Sequence, residues 1–351
     1  MKHTSVLTSS DSKHWRAYLQ KLPDKDFTFF PEYVRIYQQC GEGEAECFVY
    51  EDDDGLVLYP YIRRPLSKLP FQHAFSDCYD VSTPYCYGGI LGKNINGRAA
   101  QDFRKAFEEH AKDTRIVSEF VRFHPLTCRA QLWERSIQKI TLHSHNVVVD
   151  LTKSHEEIMQ GYRPRLRSYI RATDAAGIRV ILDKNFMYID DFFDMYSQNM
   201  KRLHQTGYLN FSHDFFKMFA SLPKKNVLLY VAVDDKKILS GAFFFRFDSI
   251  IDYFLAASSY QHKNIRPSHF LIHQAIHEAK DSGAKILQLG AGEESLCFFK
   301  RGFSKKTVPY YIGQHIHDEA AYRDLVESRM RVGPPLEKDT AYFPLYRSGL
   351  E

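Results

Sequence analysis

Apolar positions along the chain switch repeatedly between a helical and a strand period. Trp15, Tyr18 and Leu19 stand three and four apart, and Tyr33, Ile36 and Tyr37 repeat that spacing after Pro31. Each set predicts one face of a helix. Strand-like runs follow at 46–50 and 56–62, separated by Asp52-Asp53-Asp54-Gly55, a turn composition. A loop rich in Asp, Ser, Pro, Tyr and Gly covers 76–92. Beyond it the pattern predicts a helix at 97–112, a strand at 115–123, a short helix at 127–135 and a strand at 139–142.

From 146 onward the plan recurs. A strand at 146–151 precedes helices at 155–160 and 164–175, a strand at 179–182, and helices at 188–204 and 213–222. A meander of 227–233, 239–247 and 250–257, with a turn at 234–237, leads to a helix at 268–281. A strand at 285–289, a helix at 294–303 and a strand at 307–312 complete it. Each half thus reads helices, antiparallel meander, helix, strand, helix, strand. That order predicts a mixed α+β fold of two similar domains, each a partly antiparallel sheet flanked by helices, sharing a cleft. Ala111-Lys112-Asp113 and Ala279-Lys280-Asp281 precede equivalent strands and support duplication. The expected domains are 1–145 and 146–330, with a tail at 331–351.

Length and composition agree with that reading. At ~100–200 residues per domain, 351 residues suit two. Hydrophobic residues at 44% and charged residues at 26% exclude a disordered chain, a coiled coil and collagen. The 47 basic and 43 acidic residues are too balanced to mark a nucleic-acid protein by charge alone. Six Cys, no two closer than seven residues, give no zinc-ribbon spacing and read as free thiols in a reducing compartment. The start of the chain lacks the apolar stretch of a signal peptide, and no apolar run is long enough to span a membrane. A cytoplasmic protein is expected, with a peripheral membrane association as a further option.

Five constellations carry candidate chemistry. Gly290-Ala291-Gly292 follows a predicted strand, where small residues serve either a turn or a ligand's approach to the backbone. Leu296, Phe299, Lys300 and Phe303 share one helical face. Lys300 there either snorkels to solvent or supplies a cation that stabilises negative charge. The stretch 162–171 holds Arg163, Arg165, Arg167 and Arg171 with no acid. It is a solvated face or an anion site. The loop from Asp80 to Gly89 carries Tyr85 and Tyr87, and Arg122 and His124 end the following strand. These residues form either a packed turn or a groove lining. His269, His273 and His277 have a spacing open to zinc, but they flank an apolar helix face and no HExxH is present. No metal is expected.

Together these segments resemble the Fem-like branch of the GNAT acyltransferase superfamily, which includes the aminoacyltransferases that build peptidoglycan bridges. The resemblance rests on Asp80 with the Ser82–Gly89 loop, Phe120–Pro125, the Arg-rich helix with Ala175-Ala176-Gly177-Ile178, and Gly290-Ala291-Gly292 with Phe299-Lys300-Arg301-Gly302-Phe303. It implies two tandem GNAT-like domains and transfer of an acyl or aminoacyl group to an amine of a cell-envelope precursor, on peptidoglycan or polysaccharide. Lys300 matches the family's functional lysine, and Asp80 lies in the loop that carries an acidic residue. The stretch 261–267 has Gln261 but lacks the glycines of the acetyl-CoA pyrophosphate loop.

The expectation is therefore an acyltransferase with Lys300 and Asp80 as catalytic residues. Tyr85, Tyr87, Arg122, His124, Arg163, Arg167, Arg171, Gly290 and Gly292 would bind substrate. No cofactor would be tightly held, and the donor would be aminoacyl-tRNA or acyl-CoA. Partners would be the envelope precursor, with tRNA and an anionic membrane surface as further candidates, and a monomer is favoured. The alternatives are an acyl-CoA-dependent amino-sugar N-acetyltransferase and a non-catalytic GNAT-derived module that binds envelope polymer.

Overall fold

The computed structural model describes residues 2–53, 55–71, 75–203, 210–235, 237–332 and 342–350. The expected turn residues Asp54 and Lys236, the expected helix end at His204, and residues 333–341 and 351 of the expected tail lie outside them. The chain forms two compact units. Unit 1 comprises 1–143 and 310–351, and unit 2 comprises 144–309.

In chain order the elements begin with β1 (His3–Thr8), α1 (Ser12–Gln20), α2 (Pro31–Gln39), β2 (Glu44–Glu51) and β3 (Leu56–Pro65). Then come β4 (Tyr79–Ser82), β5 (Leu91–Lys93), α3 (Gly97–Asp113), β6 (Ile116–Arg122) and β7 (Lys139–Asp150). The second half contains α4 (His155–Gly161), α5 (Pro164–Ala175), β8 (Arg179–Leu182), α6 (Ile189–Arg202), α7 (His213–Ala220), β9 (Val227–Asp234), β10 (Lys237–Phe247) and β11 (Ile250–Ser258). It closes with α8 (Pro267–Asp281), β12 (Ile286–Gly290), α9 (Glu294–Lys300), β13 (Thr307–Ile316) and α10 (Glu319–Val332).

Both units use one strand plan. In unit 1 the order is β1-β2-β3-β4-β6-β13, antiparallel except for the parallel pair β4–β6. In unit 2 it is β8-β9-β10-β11-β12-β7, antiparallel except for the parallel pair β11–β12. The mixed α+β class and the duplicated plan are as the sequence implies.

The sixth strand of each unit differs from the simple tandem expectation. Unit 1 takes β13 from the far end of the chain, with Ile312 opposite Arg122, and unit 2 takes β7, with Val147 opposite Gly290. Residues 310–330, expected in the C-terminal domain, therefore belong to unit 1, and the break falls at 143/144 rather than 145/146. The two strands expected at 139–142 and 146–151 are one strand, and the helix expected at 127–135 is a short 3-10 turn, Ala130–Trp133.

Side-chain pattern explains the elements. Helix α3 starts at Asn96, whose side chain accepts from the N–H groups of Arg98 and Ala99, and buries Ala99, Phe103, Phe107 and Ala111 on one stripe. Strand β10 buries Phe243, Phe244 and Phe245 in succession, so helices cover both of its faces. On one face Phe192 and Phe216 pack on Phe243, and on the other Phe244 joins Tyr230 and Tyr253.

Candidate active site

The parallel pair is the point at which each unit's strand ladder can open. In unit 2 β11 and β12 are paired only at Ile250–Asp252 with Ile286–Gln288, and beyond Asp252 the strands part. A cavity of about 300 Å³ occupies the wedge. Its walls include Tyr253 and Ser258 from β11, Arg266 just before α8, His269 from α8, and Leu296 and Phe299 from α9. Arg266 is left-handed (φ 60°) and caps the start of α8, with Pro267 fixing the first helical position.

Lys300 stands beside this wedge. It is the buried residue of α9, 5% exposed, whereas Leu296 and Phe298 are 40% and 64% exposed. Of the two readings the sequence leaves open for Lys300, snorkelling to solvent is not what the side chain does, and of its apolar face Phe303 is buried while Leu296 is exposed. The helix ends at Lys300, so Phe303 lies past it, and the ammonium turns inward to donate to the carbonyl of Ala291. The Tyr253 ring lies 5.6 Å from Nζ. Gly290 (φ 76°) and Gly292 (φ 149°) flank that carbonyl in conformations that favour glycine. A Cβ on Gly292 would sit 2.6 Å from Leu296 Cδ2. Lys300, Gly290 and Gly292, predicted separately, thus form one built corner.

His269 packs edge-on against Phe299, with ring centroids 4.7 Å apart. Burial, with Arg266 and Arg163 nearby, lowers its pKa to about 4, so it is neutral at pH 7. His273 and His277 are lowered by burial and by neighbouring histidines. His277 stacks on His155, which contacts Asp281 at 2.7 Å.

In unit 1 the equivalent junction is closed. The chain stays hydrogen-bonded to β6 past the end of β4, with Thr83 N–H donating to Phe120 O and, after the chain bulges out and the register shifts, Gly88 N–H to Arg122 O. Arg122 is clamped on this loop through Ser82 Oγ (3.0 Å) and Thr83 O (2.9 Å). Tyr87 packs edge-on against His124 and Tyr310, and the Tyr85 carbonyl accepts from Tyr33. His124 is 0% exposed, and its Nδ1 accepts from Leu126 and Thr127 N–H. The expected groove lining Tyr87 and His124 is therefore packed interior.

Asp80 also departs from its expected role. It is fully buried and accepts from Arg64 (2.7 Å), Arg347 (2.6 Å) and Tyr346 (2.9 Å). Burial alone would raise its pKa, but Arg347 and Arg64 hold the carboxyl below its usual value. A carboxylate saturated by two guanidinium groups and a phenol is a poor proton acceptor. Its task is to fasten the 342–350 segment to β4.

The arginines of 162–171 divide. Arg163 and Arg167 line a second cavity on unit 2, whereas Arg171 is exposed one turn beyond Arg167 and is not part of that lining. Sequence reading missed Tyr253, Ser258 and Arg266 as wedge residues. The only signal for them was their place at a strand end and a Pro-started helix.

Residues 160–301 match the Acetyltransferase (GNAT) domain family. The match lies within unit 2, and the fold of the whole chain is similar to that of FemX. The crystal structure of FemX superposes with a TM-score of 0.68 at 13% identity, covering 92% of this chain and 99% of that one. The C-terminal domain of a "Putative Lysylphosphatidylglycerol Synthetase" from Agrobacterium fabrum gives 0.57 at 15% identity, with 94% and 99% covered. L-PGS from Bacillus licheniformis gives 0.56 at 12% identity, with 91% and 96% covered. No curated protein sequence matches the chain.

Proposed function

We propose that the chain is an N-acyltransferase that moves an acyl or aminoacyl group from a carrier to an amine of a cell-envelope precursor. One observation carries the reading. The buried Lys300 ammonium is anchored on the Gly290-Ala291-Gly292 turn beside the opened wedge of the GNAT domain. The likeness to FemX and to a lysylphosphatidylglycerol synthetase domain supports an envelope component as acceptor.

In this mechanism the neutral amine attacks the acyl carbonyl, whose oxygen becomes an oxyanion. Lys300 offsets that charge from a position fixed before reaction, which spares reorganisation. The proton released by the amine passes to His269, neutral at pH 7, or to a carboxylate of the substrate; the oxyanion then collapses, the bond from the acyl carbon to the carrier's sulfur or oxygen breaks, and the departing carrier atom takes up that proton. Asp80 has no part in this step.

A second reading concerns the carrier. Lys263 and Arg266 line the wedge near the start of α8, which favours a carrier bearing phosphates close to its acyl group, such as an acyl-CoA. Aminoacyl-tRNA is the other donor. Purified protein is incubated with radiolabelled acyl-CoA or aminoacyl-tRNA and an envelope precursor, alongside Lys300→Ala. Label on the acceptor amine, lost in the variant, supports the proposal. Absence of transfer from both donors, with ligand still bound, favours the binding module instead.

A further inference from the structure

The molecule holds a second cavity on unit 2, of about 700 Å³, lined by the end of α4, the start of α5 and the turn between α9 and β13. Its wall carries Lys153, Arg163, Arg167, Arg301, Lys305 and Lys306. The lining carboxylates are engaged. Asp150 meets Lys306 at 3.1 Å, which with Thr152 lowers its pKa, and Glu157 closes the capping box of α4 on Ser154 N–H (2.8 Å). Among the described residues no ion pair joins Lys153, Arg163, Arg167, Arg301 or Lys305 to a carboxylate.

Neutral groups hold the two arginines in place. Arg163 donates to Phe298 O (2.8 Å) and stacks 3.8 Å from the Phe298 ring, and Arg167 donates to Gln160 O (3.2 Å). Carbonyl oxygens orient a guanidinium without cancelling its charge, and a five-donor fork has hydrogens to spare. Cations gathered in this way repel one another, and a multivalent anion relieves that repulsion. Apolar Ile158, Tyr162 and Phe303 give the cavity a floor, which suits a small soluble ligand better than a flat membrane surface.

We propose that this cavity binds the phosphate groups of a soluble phosphate-bearing ligand, at a site separate from the wedge beside Lys300. Arg163 and Arg167 make the oriented contacts, and Lys153 and Lys305 in the lining add to the field. This inference goes beyond acyl transfer, and its test reads binding alone.

The probe is inorganic pyrophosphate, titrated calorimetrically into the full chain at low and moderate salt. Arg163→Gln with Arg167→Gln should weaken binding by about tenfold or more and flatten its salt dependence. Lys153→Gln with Lys305→Gln, both exposed and away from the core, should weaken it severalfold. Arg165→Gln with Arg171→Gln, exposed and outside the cavity lining, should leave it within twofold. Equal loss in all three pairs, or no loss in the first two, would overturn the proposal. So would failure of wild-type protein to bind pyrophosphate while it binds phosphatidylglycerol vesicles, since the surface would then be a membrane contact.

Discussion

The two parallel-strand junctions are built on the same plan and end differently. In unit 1 hydrogen bonds continue past β4 through Thr83 and Gly88, and Arg122 pins the loop. In unit 2 the pairing stops after Asp252 and leaves a cavity. Their buried charges differ in the same sense. Asp80 is enclosed by Arg64 and Arg347, so its charge is cancelled within the fold. Lys300 donates to the Ala291 carbonyl, and its ammonium lies 5.6 Å from the Tyr253 ring. A carboxylate enclosed by two guanidinium groups braces structure, and removing any one partner leaves buried charge uncompensated.

That contrast breaks most readily at Asp80. Asp80→Asn leaves two buried guanidinium groups facing a neutral amide, so chemical denaturation should show a loss of about 3–5 kcal/mol. The folded fraction should turn over within a fewfold of wild type. Turnover lost at unchanged stability would return Asp80 to the reaction.

Lys300→Ala should act in the opposite way. Removing a preorganised cation from a developing oxyanion costs about 2.7–4 kcal/mol in the transition state, or roughly 100–1,000-fold in kcat. Acceptor affinity should change far less, and Lys300→Arg should not restore the rate, because a planar fork presents its charge differently. A folded Lys300→Ala enzyme at wild-type kcat would reduce the contrast to one of packing.

Gly292→Ala sharpens the comparison at the turn. Its φ of 149° disfavours a Cβ, and that atom would press on Leu296. A loss of about 1–3 kcal/mol in stability is expected from the backbone strain. Catalysis should fall with it, since the Ala291 carbonyl that orients Lys300 moves too. Thermal melting together with kcat tests both; unchanged kcat would mean that the turn does not position the lysine.

The smallest effect is a pH dependence. His269 and His273 titrate near pH 4 in the folded protein and near 6.5 when unfolded. Between those values the unfolded chain binds more protons, so stability rises with pH across about 4–6.5 and is undiminished above it. Melting temperature should therefore drop as pH is lowered from 7 to 5. His269→Gln with His273→Gln should make that drop shallower, and an unaltered profile would place the pH dependence elsewhere.

Much of this was legible in the residue pattern. Helix α5 and strand β8 fall where the spacing placed them, because an apolar stripe and a β-branched run carry their own period. The duplicated plan and the residues that build the glycine turn and Lys300 corner were legible for the same local reason. Strand β1 and helix α10 were not predicted, and neither was the role of the 342–350 segment. Tyr346 reaches Ser118 and Asp80 across more than two hundred residues of chain, and no local pattern encodes such a contact.

By itself, then, the sequence determined the fold class, the internal repeat and the residue types at the Lys300 corner, since each depends on neighbours a few positions apart. Only the tertiary structure decided which strand completes each unit, with β13 going to unit 1 and β7 to unit 2. It also decided which junction opens, and which charged residues are cancelled. Strand pairing and burial of charge are set by what the chain brings together from a distance. Asp80 and Lys300 look alike in sequence as polar residues among apolar ones, and they part company only when Arg347 folds back onto one and the Ala291 carbonyl turns toward the other.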